Sequence, residues 1–206
     1  MIVDAAAVNG RDLAAVARQA IRGGADVLQL RHKDATAREL IREAEALLAV
    51  TRPQRIPLII NDRVDVALAT GADGVHLGQD DLPVAAARKL LGQDRLIGKS
   101  THSLAQAREA TAELLDYVAF GPLYATPTKP DYPHVGLELI RQVRSAVRQP
   151  LVTIGGIDAT TLPQVLAAGA GCVAVVRAVC AAADPEAAAR GLQQAIAQFR
   201  RAAASA

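Results

Sequence analysis

Residues 57–81 read PLIINDRVDVALATGADGVHLGQDD, and this stretch decides the fold. A strand is predicted at Leu58–Asn61, where the apolar run Leu58-Ile59-Ile60 leads straight into Asn61 and Asp62. Val64–Thr70 follows with helical spacing and stops at Gly71. A second apolar run, Gly74–Leu77, then ends in Gly78-Gln79-Asp80-Asp81. Strand, helix and strand in so short a span make a parallel βαβ unit, because a helix returns the chain to start the next strand in the same direction.

The alternation continues on both sides. Upstream, strands are predicted at Ile2–Asp4 and Asp26–Arg31, and helices at Asp12–Arg22 and Ala35–Val50. Downstream, strands are predicted at Leu96–Ser100, Tyr117–Phe120, Leu151–Ile154 and Cys172–Val176. Helices are predicted at Pro83–Leu91, Leu104–Leu115, Leu137–Val147, Ala159–Ala168 and Pro185–Arg201. Asp4 or Asn9, Ser103, Asp158 and Asp184 are the expected caps of the helices that follow them. Eight βα units without a break in composition predict one α/β domain over residues 1–206, a (β/α)8 TIM barrel. A doubly wound open sheet is the alternative architecture. The first strand is short, with three residues before Asp4.

Composition narrows the function. Of 206 residues, 51% are hydrophobic, about a fifth are Ala, and only five are aromatic. The core is therefore aliphatic, and there is no stacking surface for single-stranded nucleic acid. The balance of 23 Lys+Arg against 21 Asp+Glu gives no strongly basic footprint for nucleic acid. No apolar run approaches the ~18 residues of a membrane span. Met1-Ile2-Val3-Asp4 lacks the pattern of a secretion signal. Cys172 and Cys180, with no CxxC, read as small buried hydrophobes and point to a reducing cytoplasm.

The polar residues gather where a barrel puts its active site, at the C-terminal ends of the strands. On the second strand Gln29 and Arg31 share one face with Lys33 just beyond, while Leu28 and Leu30 face the helices. Asp62 and the Asp80/Asp81 pair come from adjacent strand ends. They are read either as helix caps or as a Mg²⁺ site completed by water and phosphate oxygens. Residues 121–136 form the longest irregular stretch, in which Thr126, Thr128 and Lys129 lie among prolines. Gly155-Gly156 after the seventh strand, and Val176 and Arg177 after the eighth, suit a backbone phosphate cup; a tight turn is the plainer reading of the glycines. His76 and His102 are general-base candidates or structural hydrogen-bonding residues, and His32 and His134 are solvent-facing.

Six blocks carry a resemblance. They are Gln29-Leu30-Arg31-x-Lys33, Ile60-Asn61-Asp62, Val75-His76-Leu77-Gly78-Gln79-x-Asp81, Ser100-Thr101-His102, Gly121-Pro122-x-Tyr124-x-Thr126-x-Thr128-Lys129 and Ile154-Gly155-Gly156-Ile157. Together, in order and spacing, the chain resembles thiamine phosphate synthase from about Arg11 to the last helix. The resemblance implies a transferase of thiamine biosynthesis. It would join hydroxymethylpyrimidine diphosphate to a thiazole phosphate, giving thiamine monophosphate and diphosphate. It implies that Gln29, Arg31, Lys33, Asn61 and Lys129 contact the pyrimidine and its diphosphate. Asp62 and Asp81 would hold Mg²⁺, and Ser100 would lie near the reacting methylene. Thr126, Thr128, Gly156, Val176 and Arg177 would face the thiazole phosphate. Arg31, Ser100 and Lys129 are the residues it places on the reaction itself. Arg177 departs from the resemblance, since many relatives carry Ser there. The implied partners are small phosphorylated molecules, with no nucleic acid or membrane, and the chain is open to homo-oligomerisation. Two other functions fit part of the pattern: a thiazole tautomerase-like isomerase, and a non-catalytic binding protein for thiazole or thiamine phosphate. The full set of Arg31, Lys33, Asn61, Asp62, Asp81 and Lys129 argues against the isomerase, which needs no diphosphate site, and a non-catalytic relative should have lost the metal carboxylates Asp62 and Asp81, which both remain.

Overall fold

The computed structural model describes residues 1–126 and 133–204. Eight strands alternate with helices. The strands are β1 (Ile2–Asp4), β2 (Leu28–Arg31), β3 (Leu58–Asn61), β4 (Gly74–Leu77), β5 (Leu96–Thr101), β6 (Tyr117–Phe120), β7 (Leu151–Ile154) and β8 (Cys172–Ala174). The helices are α1 (Leu13–Arg22), α2 (Ala37–Thr51), α3 (Val64–Thr70), α4 (Val84–Leu91), α5 (Leu104–Ala110), α6 (Ile140–Ala146), α7 (Leu162–Ala167), α8 (Arg177–Cys180) and α9 (Pro185–Ala204). Neighbouring strands pair in parallel, in chain order from β1 to β8. The sheet curls until the Ile2 N–H donates to the Val175 carbonyl at 2.9 Å, which brings its two edges together. A TIM barrel is therefore the observed architecture, and the open sheet is not.

Alternation along the strands separates two environments. Leu28, Leu30, Leu58, Ile60, Val75, Leu77, Ile97, Val118 and Phe120 face the helices and are fully buried. Each contributes about 1.5–3 kcal/mol by leaving water. Gln29, Arg31, Ile59, Asn61, His76, Ser100 and Tyr117 face the interior, where they line a cavity. The inward and outward faces of β2 are those predicted from its sequence.

Two glycines set close approaches. A Cβ on Gly98 would lie 2.0 Å from the Tyr117 ring, so this gap in β5 is what admits the ring to the barrel. A Cβ on Gly23 would lie 2.5 Å from the Glu186 carbonyl, so α9 can lean on the end of α1. α9 thereby completes the helical ring. At the opposite end from the strand tips, the buried Arg88 guanidinium donates to the Gly92, Arg95 and Leu114 carbonyls and to Asp116, 2.6 Å away. Asp116 also accepts from the Ile97 N–H, so one ion pair ties α4 to β5 and β6.

Several boundaries differ from the sequence reading. The N-cap of α1 is Asp12, which accepts from the Ala14 N–H, and neither Asp4 nor Asn9 caps it. Thr36 and Glu39 form a capping box that starts α2 two residues later than predicted. The predicted long forms of α5, α6 and α7 are trimmed by turns at their ends. Asp158 is not the N-cap of α7; its carboxylate accepts from the Thr160 and Thr161 N–H groups in the turn before it. The last strand ends at Ala174, so Val176 and Arg177 belong to the start of the short α8. Cys180 is buried, as expected, but Cys172 is exposed.

The glycines give opposite expectations. Gly98→Ala should destabilise the protein by about 2 kcal/mol through overpacking against Tyr117. Gly191→Ala, in α9 with nothing within 4 Å of the added Cβ, should stabilise it by about 0.5–1 kcal/mol. Urea denaturation of both variants checks the pair of signs.

Candidate active site

The barrel mouth is built from consecutive strand ends. Asp4 closes β1 and Arg31 closes β2, and the two are register partners. The Arg31 guanidinium donates to the Asp4 carboxylate at 2.6 Å, with both side chains largely buried. The other Asp4 oxygen accepts from the Ala6 N–H at 2.9 Å. Asp4 was read from sequence only as a cap. Its task is to hold a cation inside the barrel, and the signal was its place at a strand end beside the strand that carries Arg31.

On the next two strands, carboxylates meet. Asp62 follows β3 with φ of 64°, a left-handed conformation that a non-glycine residue adopts at a cost of about 1 kcal/mol or more. Its N–H donates to the His76 carbonyl at 2.8 Å, which holds that turn in place. Asp62 caps no helix: the N-cap position of α3 is Arg63, and no side chain caps it. Instead Asp62 pairs with the Lys33 ammonium and sits against Asp81. Asp81 caps nothing either; it accepts from the Gly78 N–H at 2.6 Å. Burial first, and then the neighbouring Asp62, push the Asp81 carboxyl above its ordinary value, while the Gly78 N–H and Lys33 pull it down. The capping interpretation of both aspartates is thus excluded, and a strained like-charge pair remains.

Such a pair suits a divalent cation. Among the described residues no group of three or more His, Cys, Asp or Glu side chains could hold a metal. Two carboxylates beside a lysine fit Mg²⁺, which takes one or two protein carboxylates and completes its shell with water and phosphate oxygens. They do not fit a closed, all-protein site.

A cavity of about 740 Å³ runs through the barrel from this mouth to the opposite end, where Met1, Leu96 and Cys172 near the strand starts and Arg200 of α9 line it. Gln29, Arg31, Asn61 and Ser100 line one side of it. Thr126, Gly156, Val176 and Arg177 line the other. Lys33, Asp62 and Asp81 stand outside this lining, on the β2–β4 side of the mouth. Thr128 and Lys129 lie outside the described residues. The two glycines after β7 have a structural duty of their own. A Cβ on Gly155 would lie 2.4 Å from Pro122 Cα, and one on Gly156 would lie 2.6 Å from Tyr124 Cβ. Leu123 N–H donates to the Ile154 carbonyl at 2.9 Å, so the chain after β6 lies flat on this turn. The glycines therefore let two mouth loops touch, and both still line the cavity.

Below the mouth the interior is polar. His76 is buried, with Nε2 2.9 Å from Ser100 Oγ and Nδ1 2.9 Å from the Tyr117 hydroxyl. Burial holds the Tyr117 phenol far above its ordinary value, so it stays protonated. His102 Nδ1 hydrogen-bonds the Gly121 carbonyl, a structural link between β5 and the loop after β6. His134 is exposed, as expected, while His32 is half-buried against Glu43 at 3.0 Å.

Known proteins share this chain's sequence and shape. The family model described as Thiamine monophosphate synthase matches residues 1–179. A thiamine-phosphate synthase of Chloroflexus aurantiacus is 50% identical over 194 residues, which cover 94% of this chain and 89% of that protein. One from Roseiflexus sp. (strain RS-1) is 46% identical over 96% of this chain and 84% of its own length. Among solved structures, thiamine phosphate pyrophosphorylase from Pyrococcus furiosus superposes with a TM-score of 0.88 at 34% identity, covering 96% of this chain and 94% of that one.

Removing the Asp4 carboxylate isolates a buried charge. Asp4→Ala should lower stability by about 3 kcal/mol, and Asp4→Leu/Arg31→Met should recover most of that loss. A urea midpoint for Asp4→Ala equal to that of the parent protein would show that Arg31 does not depend on Asp4.

Proposed function

The chain belongs to the thiamine monophosphate synthase family, and from that premise we propose that it condenses hydroxymethylpyrimidine diphosphate with a thiazole phosphate to give thiamine monophosphate and diphosphate. The observation that carries this reading is the Asp62–Asp81 pair, with Lys33, beside a cavity lined by Arg31. A diphosphate calls for a cation held at that pair together with Arg31 and Lys33, and an isomerase acting on a thiazole monophosphate does not.

Each residue has a place in the reaction. The bond from the pyrimidine methylene to the diphosphate oxygen breaks, and its electron pair leaves with the diphosphate. The thiazole nitrogen then donates its lone pair to the methylene carbon. Asp62 and Asp81 would hold Mg²⁺, which when bound would neutralise charge on the diphosphate. Arg31, steadied by Asp4, and Lys33 with Asn61 bind the diphosphate oxygens on the β2–β3 side. Lys129 adds a further cation. Gln29 binds the pyrimidine, and Ser100 donates to the leaving group. Thr126, Thr128, Gly156 and the backbone at Val176 and Arg177 orient the thiazole phosphate. A backbone contact tolerates Arg at position 177 where a serine hydroxyl contact would not. No nucleophile–base pair is required, since charge stabilisation and positioning supply the acceleration. The two unpaired cysteines suit the cytoplasm as the setting.

Incubation with both substrates and Mg²⁺ should yield thiamine monophosphate. No product, with tautomerisation of a thiazole carboxylate phosphate instead, would assign the isomerase reading. Asp62→Ala and Asp81→Ala should each abolish product while thiazole phosphate still binds; full activity of both without Mg²⁺ removes the metal role. Lys129→Ala should cost activity far more than melting temperature, and an equal loss of the two would make Lys129 structural.

A further inference from the structure

The reaction just described leaves His76 and Tyr117 without a task, although both face the barrel interior below the mouth, His76 buried and Tyr117 half-buried. They are linked to Ser100 by two hydrogen bonds of 2.9 Å. The rings also lie against each other, with centroids 5.5 Å apart and 23° between planes. Gly98 exists at its position to admit the Tyr117 ring. A polar pair facing the barrel interior, for which a strand gives up a side chain, is built for a purpose.

The direction of the bonds follows from counting protons. Tyr117 stays protonated and therefore has one proton to give. Its hydroxyl lies 2.9 Å from His76 Nδ1, and a phenol is a better donor than acceptor. The phenolic proton then points to His76 Nδ1. With Nδ1 accepting, the ring's own proton sits on Nε2, which faces Ser100 Oγ.

We propose that Tyr117 and His76 form a one-way hydrogen-bond relay that makes Ser100 a donor toward the mouth. The His76 Nε2–H fills a lone pair on Ser100 Oγ, so the serine proton is not spent on the histidine. The opposite tautomer would take that proton and turn lone pairs, rather than a donor, toward an anion. A hydroxyl already aimed at a departing diphosphate oxygen gains strength as negative charge develops, with no reorientation in the transition state. His76 and Tyr117 are positioning residues, acting through Ser100. The inference rests on the assignment of Ser100 to the diphosphate, made above.

The test is a double-mutant cycle for thiamine monophosphate formation, joined to ¹⁵N NMR of the histidine rings. Tyr117→Phe keeps the ring and removes only the hydroxyl. It should lower kcat about tenfold, the loss of about one hydrogen bond in the transition state, with little change in KM for thiazole phosphate. Ser100→Ala should lower kcat further, and the double variant should match Ser100→Ala alone, because Tyr117 has nothing left to act through. A Tyr117→Phe loss that persists undiminished in the Ser100→Ala background overturns the relay. The ring nitrogens of His76 in the unmodified protein should report a proton on Nε2 and none on Nδ1. A proton on Nδ1 reverses the relay and overturns it, whether or not Tyr117→Phe folds. Full activity of Ser100→Ala is a different result: it removes Ser100 from the proposed function, and the relay falls with it.

Discussion

Two carboxylates held side by side repel each other, and at the end of β3 and β4 the protein accepts that repulsion. Asp62 is bent into a left-handed turn, anchored by its N–H on the His76 carbonyl, and set against Asp81. Burial and the like charge together raise the Asp81 carboxyl above its ordinary value. A proton shared between the two carboxyls, or a cation, relieves such a site. Lys33 supplies part of the positive charge from the neighbouring strand end, and the remaining deficit is what a cation carrying phosphate oxygens would fill. Backbone strain is common where function demands a geometry that folding alone would avoid.

The barrel makes this arrangement possible, because parallel strands point all their carboxyl ends toward one rim. Residues distant in the chain become neighbours by register alone. Asp4 meets Arg31 across 27 positions, and Asn61 meets His76 between β3 and β4. The same geometry stacks functions in layers. Charged groups occupy the rim, the Tyr117–His76–Ser100 chain lies beneath it, and aliphatic residues such as Ile59 line the wall further in. Loops on the far side of the mouth are held together by glycines, so the cavity keeps its shape there without bulky side chains.

Much of this was legible in the sequence. Strands β3, β4, β6 and β7 begin and end where predicted, because each is an apolar run bounded by glycine, proline or charged residues. The inward face of β2 followed from simple alternation. Helix ends were less legible: the residues after Ala110 and before Ile140 keep helical composition, yet the chain turns there. Caps misled for a physical reason. An aspartate before a helix looks the same whether it bonds a nearby N–H or a distant cation, and Asp4 is drawn to Arg31, not to α1. The left-handed turn at Asp62 left no mark in the sequence, since its partner is a carbonyl on the adjacent strand. Cys172 looked apolar and buried, but it lies at the first residue of β8 and is exposed there.

Calorimetric titration of inorganic diphosphate into the protein, with and without Mg²⁺, tests most directly whether the Asp62–Asp81 pair is the metal-assisted half of the mouth. The account predicts that binding depends on Mg²⁺ in the parent protein, and that Asp62→Asn/Asp81→Asn removes this dependence. Diphosphate binding of equal strength with and without Mg²⁺ in the parent protein would contradict it.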